Sequence, residues 1–357
     1  MVRRVPVTET VSPARLAESI TFPTSKRTAK NRFMKAALTE RVATWNPDDR
    51  KACGFPTPEL CNMYEKYSHG GFGVLLSGNV AVDPTHLESA GNVIIHKSID
   101  SPERREAFKR YLAAFKAGSD NLAILQLSNA GRQTPLALAK HPISASDVQL
   151  LAMRRGSGYG KPRALTTEEV RQNVVHDFAY AARYAYDSGF DGVQIHSAHG
   201  YLLAQFFSET TNKRTDQYGG SLENRTRLNL VIYEAIRRLV PVETGFIVGI
   251  KMNSKELQAG GLECEDAVYM CKEYERIGFD FIELSGGTIE KLAFQHLSES
   301  TVSREAFFFD FAAKIKAALT TIIVYLTGGF RTVHGMVNAI EQGACDGIGW
   351  DDPLPQK

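Results

Sequence analysis

The sequence has no apolar run approaching the roughly 20 residues needed to cross a bilayer. Its first stretch, MVRRVPVTETVSPARL, carries charge but no apolar h-region, so it does not read as a secretory signal. Basic blocks are missing too: 42 Lys and Arg stand against 40 Asp and Glu, for a formal charge of +2. That balance argues against nucleic acid and against an anionic membrane surface as partners. Cysteines are few: Cys53, Cys61, Cys264, Cys271 and Cys345 are odd in number and form no C-x-x-C pair. Reduced thiols in the cytoplasm are the simplest reading, and a thiolate metal site is disfavoured. No Ser/Gly linker, low-complexity tract or short repeat divides the chain. Residues 1–357 are therefore expected to form one domain.

What the sequence does contain is alternation. Short β-rich apolar runs at 32–38, 73–78, 122–127, 192–196, 246–252, 281–285, 322–327 and 346–350 are separated by longer amphipathic segments. Most of these runs lack polar alternation, as expected of strands covered on both faces. The segments between them predict helices near 57–69, 101–117, 166–189, 222–239, 264–277, 304–319 and 332–342. In the third, Thr166 and Glu169 have the spacing of a capping box, and Gly189 supplies a stop. Eight strands alternating with seven helices predict an α/β fold, a closed (β/α)8 TIM barrel that lacks its final helix. Residues 129–165 form a long connection after the third strand, the end of a barrel where long loops shape a site.

The fourth run ends in HSAHGY, residues 196–201. In a barrel this is the catalytic rim. His196 and His199 offer two N–H donors from one short turn, able to hold negative charge developing on a single oxygen. Tyr201 then stands close enough to deliver a proton. A zinc site is the alternative, although H-E-x-x-H is absent and the sequence supplies no evident third ligand. Gln126, within an apolar strand, needs partners for its amide. Lys251, flanked by VGI and Met252, is costly to bury without an anion.

The stretch HSAHGYLLAQFFSETTNKRTDQYGGSLENR (196–225) resembles the signature of the Old Yellow Enzyme family of FMN-dependent ene-reductases and NADH:flavin oxidoreductases. Similarity continues through KNRFMKAALTE, QLSNAGRQ, PISASD, VGIKMN and TGGFRT, over about residues 28–349, and is greatest to the fungal-type branch. The resemblance implies a barrel holding FMN at the C-terminal strand ends, reduced by NADH or NADPH, that passes hydride from N5 to the β-carbon of an activated alkene. It assigns His196 and His199 to the substrate carbonyl and Tyr201 to protonation of the α-carbon. Thr39, ending the first strand, would bond the flavin O4, Gln126 the pyrimidine edge, and Lys251 the N1 and O2 side. Ala37 and Asn79 would offer backbone contacts. Gly328, Gly329 and Phe330 match the turn that binds the phosphate. Arg214 and Asp216 read as a structural turn pair. Asn129 stands where the family often has His and receives no role.

The resemblance breaks at the end. Where the family carries a Gly-Arg pair after the eighth strand, this chain has Asp351 and Asp352 in WDDPLPQK (350–357). Two carboxylates in place of a guanidinium predict weak FMN retention. A missing last helix predicts an apolar face open to self-association, and so a homo-oligomer. Three readings remain at this point: an ene-reductase acting on a small-molecule enone, a binding or regulatory protein derived from the same fold, and a metal-dependent barrel hydrolase.

Overall fold

In the computed structural model, residues 11–151, 158–254, 256, 260–286 and 309–350 are described. Eight parallel strands close into a barrel: β1 (Phe33–Lys35), β2 (Val74–Ala81), β3 (Leu122–Ser128), β4 (Gly192–Ser197), β5 (Ile247–Asn253), β6 (Phe281–Ser285), β7 (Ile323–Thr327) and β8 (Gly347–Trp350). Closure is made by β8 pairing with β1, with Ile348 opposite Phe33 and Trp350 opposite Lys35. Among the described residues, seven principal helices pack outside: α1 (Pro58–Ser68), α2 (Pro102–Lys116), α3 (His176–Asp187), α4 (Leu222–Leu239), α5 (Cys264–Ile277), α6 (Phe309–Ala317) and α7 (Val333–Glu341). The expected (β/α)8 architecture is the observed one.

Capping fixes where the helices start. Thr57, Ser101, Ser221 and Thr332 each accept a hydrogen bond from the N–H three residues on. The Thr166–Glu169 capping box is present in both directions. The helix it opens is not continuous. Residues Val170–Val175 form a π-helical segment before α3 begins, which the 3.6-residue periodicity did not foretell. The first strand is also shorter than expected. It ends at Lys35, so Thr39 lies in the connection beyond it rather than at the strand's end.

Inside the barrel, side chains alternate with the backbone period of two. The lower layers are apolar: Met34, Val74, Leu76, Ile124, Ile247, Phe281 and Tyr325 pack together. A short antiparallel hairpin, Ile20–Thr21 with Thr28–Ala29, closes that end with Phe22. Asp280 anchors the hairpin's turn, accepting from the N–H groups of Thr24 at 3.2 Å and Ser25 at 2.7 Å. The upper layer, at the strands' C-terminal ends, is polar. The described part of the long connection after β3 includes the short strand Ile143–Ser144. Arg214 ties it to the turn after β4, donating to Ala145 O at 3.1 Å and pairing with Asp216 as expected.

No helix among the described residues is long and apolar enough to cross a membrane. Asp351 and Asp352 lie outside the described residues, as do residues 304–308 of the sixth expected helix.

Candidate active site

Strand register brings the upper layer together. Asn79 on β2 stands opposite Gln126 on β3, and Gln126 opposite Gln194 on β4. One pleat higher, His196 on β4 faces Lys251 on β5, and Lys251 faces Glu283 on β6. Side chains of the same parity point inward, so these residues share one interior face of the barrel mouth.

A hydrogen-bonded chain links them. Gln126 Nε2 donates to Gln194 Oε1 at 2.6 Å, and Gln194 Nε2 donates to Glu283 Oε2 at 2.7 Å. Glu283 Oε1 accepts from Thr327 Oγ1 at 2.7 Å and pairs with Lys251 Nζ at 2.9 Å. Glu283 is fully buried and Lys251 is 5% exposed. The partners that Gln126 and Lys251 required are therefore supplied by the protein itself. Glu283 was not singled out in the sequence, yet the signal was present: FIELS places a carboxylate in an apolar strand, as VGIKM places an ammonium in its neighbour.

The turn after β4 presents the two histidines. His199 and Gly200 both adopt left-handed backbone, with φ of 57° and 75°. Gln133 Nε2 clamps the turn by donating to His199 O at 2.6 Å, and His199 N–H donates to Asn253 Oδ1 at 3.2 Å. The His196 and His199 ring centroids are 5.3 Å apart, and the Tyr201 ring meets His196 edge-on at 4.5 Å. His199 Nε2 lies 3.0 Å from Ser285 Oγ. Burial, together with Lys251, holds the His199 imidazole down to about 3. Burial first, then His199 and Lys251, pushes His196 well below the usual range. Both rings are thus neutral at pH 7. His196 Nδ1 accepts from Ala198 N–H at 3.4 Å, which leaves its proton on Nε2.

The expected trio of His196, His199 and Tyr201 is thus brought together, beside Lys251. On the β1–β2 side, Asn79 Nδ2 donates to Thr39 Oγ1 at 3.0 Å, so Asn79 contributes a side chain where only backbone was expected. Ala37 brings no polar side chain. Gly328, Gly329 and Phe330 follow β7, away from the histidines. The two glycines have φ of 121° and 80° and lead the chain from β7 toward α7. Two buried polar atoms at the mouth, Asn79 Oδ1 and Asn253 Nδ2, have no hydrogen-bond partner. An acceptor, a donor, an ammonium and a glycine turn around one mouth fit FMN, whose ring edge alternates donors and acceptors and whose tail ends in phosphate. A metal fits less well. Among the described residues, no group of three or more His, Cys, Asp or Glu is arranged to hold one.

Residues 20–317 match the model of the NADH:flavin oxidoreductase / NADH oxidase family. The chain is 42% identical over 352 residues to the NADH-dependent flavin oxidoreductase nadA of Aspergillus parasiticus, covering 98% of this chain and 78% of that protein. In three dimensions it is similar to the Old Yellow Enzyme homologue of Zymomonas mobilis, with a TM-score of 0.74, 24% identity and coverage of 94% of this chain and 88% of that one. It also resembles 2-naphthoyl-CoA reductase in complex with 2-naphthoyl-CoA, with a TM-score of 0.81 and 22% identity. There the match covers 95% of this chain and 50% of the other, so the present chain spans about half that protein's length.

Proposed function

Because the chain belongs to the NADH:flavin oxidoreductase / NADH oxidase family, the FMN-dependent family of the Old Yellow Enzymes, we propose that it reduces the C=C bond of an α,β-unsaturated carbonyl compound with NADH or NADPH. When bound, FMN would supply the redox chemistry that carries hydride from the nicotinamide to the alkene. Lys251 would hold the N1 and O2 side, Gln126 the pyrimidine edge, Thr39 with Asn79 beside it the O4 side, and the Gly328–Phe330 turn the phosphate. The observation that carries this reading is the pair of imidazoles on one turn, His196 buried and His199 half-buried, with Tyr201 packed against His196.

Each residue's part follows from its protonation. His196 Nε2–H donates to the carbonyl oxygen. With Ser285 Oγ, 3.0 Å away, as the donor to His199 Nε2, the His199 proton rests on Nδ1 and is offered to the same oxygen. Two such donors withdraw electron density from the alkene, and each contributes about 2.7–4 kcal/mol to stabilising the oxyanion that develops. Tyr201 gives its phenolic proton to the α-carbon, completing addition of hydride and proton across the double bond. Neutral rings suit this work. They bind a neutral ketone without first requiring a charge to be buried.

The test uses the purified full chain with added FMN under nitrogen. Bleaching of the yellow colour by NADH or NADPH, followed by recovery on adding 2-cyclohexenone, is expected. A protein that holds FMN and bleaches, but is not reoxidised by any enone, overturns the assignment of substrate class. One that never bleaches overturns the whole reading.

A further inference from the structure

Behind the wall formed by β1 and β2 lies a second buried polar cluster. Lys35, 2% exposed, ends β1 and turns outward against α1. Its ammonium sits 5.0 Å from the Tyr64 ring centroid and 4.8 Å from that of Tyr67. It donates to Leu76 O at 3.1 Å and to the Tyr64 hydroxyl at 3.3 Å. The Tyr64 hydroxyl in turn donates to Glu40 Oε1. Gly78 N–H donates to Glu40 Oε1 at 2.8 Å and to the Tyr64 oxygen at 2.9 Å.

All of these bonds converge on one irregularity. Against β3, the register of β2 slips between Leu76, opposite Ile124, and Asn79, opposite Gln126. Three steps on β2 match two on β3, so one residue is extra. Without the slip Gly78 would face Gln126, and Asn79 would point out of the barrel. The bulge thus turns Asn79 inward, where it bonds Thr39 and leaves Asn79 Oδ1 without a partner. The cluster fits tightly. A Cβ on Gly78 would lie 2.0 Å from Glu40 Oε2 and 2.3 Å from Leu38 O.

Lys35 is a costly way to fill this space. Burial pushes its ammonium down to about 8, with Glu40 and Glu283 opposing the shift and Lys251 adding to it. An apolar side chain of the same length would pack there without that cost, but would leave the Leu76 carbonyl and the Tyr64 hydroxyl without their cation. We propose that Lys35, Glu40 and Tyr64 are positioning residues that lock the β2 bulge and so aim Asn79 and Thr39 at the flavin. This rests on the reading above that those two residues address FMN.

The experiment measures FMN affinity by fluorescence titration of the full-length apoprotein and, separately, its melting temperature without FMN. Lys35→Met is expected to melt higher than the wild type yet bind FMN about tenfold more weakly. Asn79→Ala is expected to weaken FMN binding by a similar factor, and the double variant to be no more than about twofold worse than either single one. A merely structural lysine would give the opposite stability result. Tyr64→Phe is the second variant, expected to speed amide hydrogen exchange at Gly78 in the apoprotein. Unchanged FMN affinity in Lys35→Met, fully additive losses in the double variant, or unchanged Gly78 exchange in Tyr64→Phe each overturn the proposal. If the wild type itself binds no FMN, the flavin reading fails, and the Gly78 exchange result still decides whether the cluster locks the bulge.

Discussion

Inside the barrel the Lys251 ammonium stands 2.9 Å from the Glu283 carboxylate. Each also belongs to the mouth, since Lys251 is opposite His196 in register and Glu283 closes the chain from Gln126 through Gln194. The cation that would face a flavin therefore comes with a resident anion. Charge accumulating on a reduced cofactor would share the lysine with Glu283 rather than receive it whole. The strength of that sharing becomes adjustable through one carboxylate.

Glu283→Gln should expose this balance. Removing one partner of a buried ion pair typically costs about 3–5 kcal/mol, because the other charge stays buried. The apoprotein is expected to melt lower, and FMN to recover more of the loss than it adds to the wild type. The unbalanced ammonium also favours the reduced, anionic flavin. Its midpoint potential should rise by about 30 mV or more, equivalent to ~1.4 kcal/mol for a two-electron couple. A potential that stays put or falls would show that Glu283 does not moderate Lys251.

Tyr201→Phe separates the two half-reactions. The phenyl ring keeps the edge-on contact with His196 and loses the phenolic hydroxyl with its proton. Stopped-flow measurement is expected to show flavin reduction by NADH near the wild-type rate and enone reduction slowed by about 10²-fold or more. Equal slowing of both would remove Tyr201 from the role of proton donor.

Much of this arrangement could be read from the chain, and the limits were physical. The barrel was legible because its strands are covered on both faces and its helices carry caps, so local pattern and tertiary environment agree. The trio of His196, His199 and Tyr201 was legible because one short turn holds all three. Glu283 and Gln194 were harder to see. Their partners lie on other strands, and only the register of β3 to β6 puts Lys251, Glu283, Gln194 and Gln126 at matching heights. The inward turn of Asn79 depends on a bulge, which no two-residue periodicity reveals. The π-helical segment at Val170–Val175 escaped for the same reason.

Gly200→Ala probes the turn that aims His199. Gly200 has φ of 75°, and an added Cβ would lie 2.5 Å from Gln133 Nε2, the group that clamps His199 O. Left-handed backbone costs a non-glycine residue roughly 1–2 kcal/mol, and Gln133 must also move. The variant is expected to lose about that much stability and to bind phenolic inhibitors at least tenfold more weakly, since both rings would no longer converge on one oxyanion. Unaltered phenol affinity, read from the charge-transfer band of the FMN-loaded protein, would mean the turn does not orient His199.

The two imidazoles also set a pH window. Burial holds His199 down to about 3 and His196 well below its ordinary value, whereas in the unfolded chain each titrates near ~6.5. Below that value the unfolded chain binds more protons than the folded one, so stability falls as pH falls. Each histidine contributes a slope of ~1.4 kcal/mol per pH unit, or about 2.8 kcal/mol for the pair. Carboxylates held down to about 2, such as Asp83, Glu169 and Asp216, act in the same direction, but only near and below the pH where free carboxyls titrate, about 4. From pH 6.5 to 4.5 the pair is opposed by Asp280, whose carboxyl burial pushes up, so the histidine share is read as the difference between wild type and a variant lacking both rings. Urea unfolding of the wild type across that interval should show the steep loss, and the variant carrying His196→Asn with His199→Asn should flatten it. A double variant that keeps the wild-type slope would show that the rings are already protonated in the folded protein. The substrate oxygen would then meet imidazolium, and the neutral-donor account of carbonyl binding would fail with it.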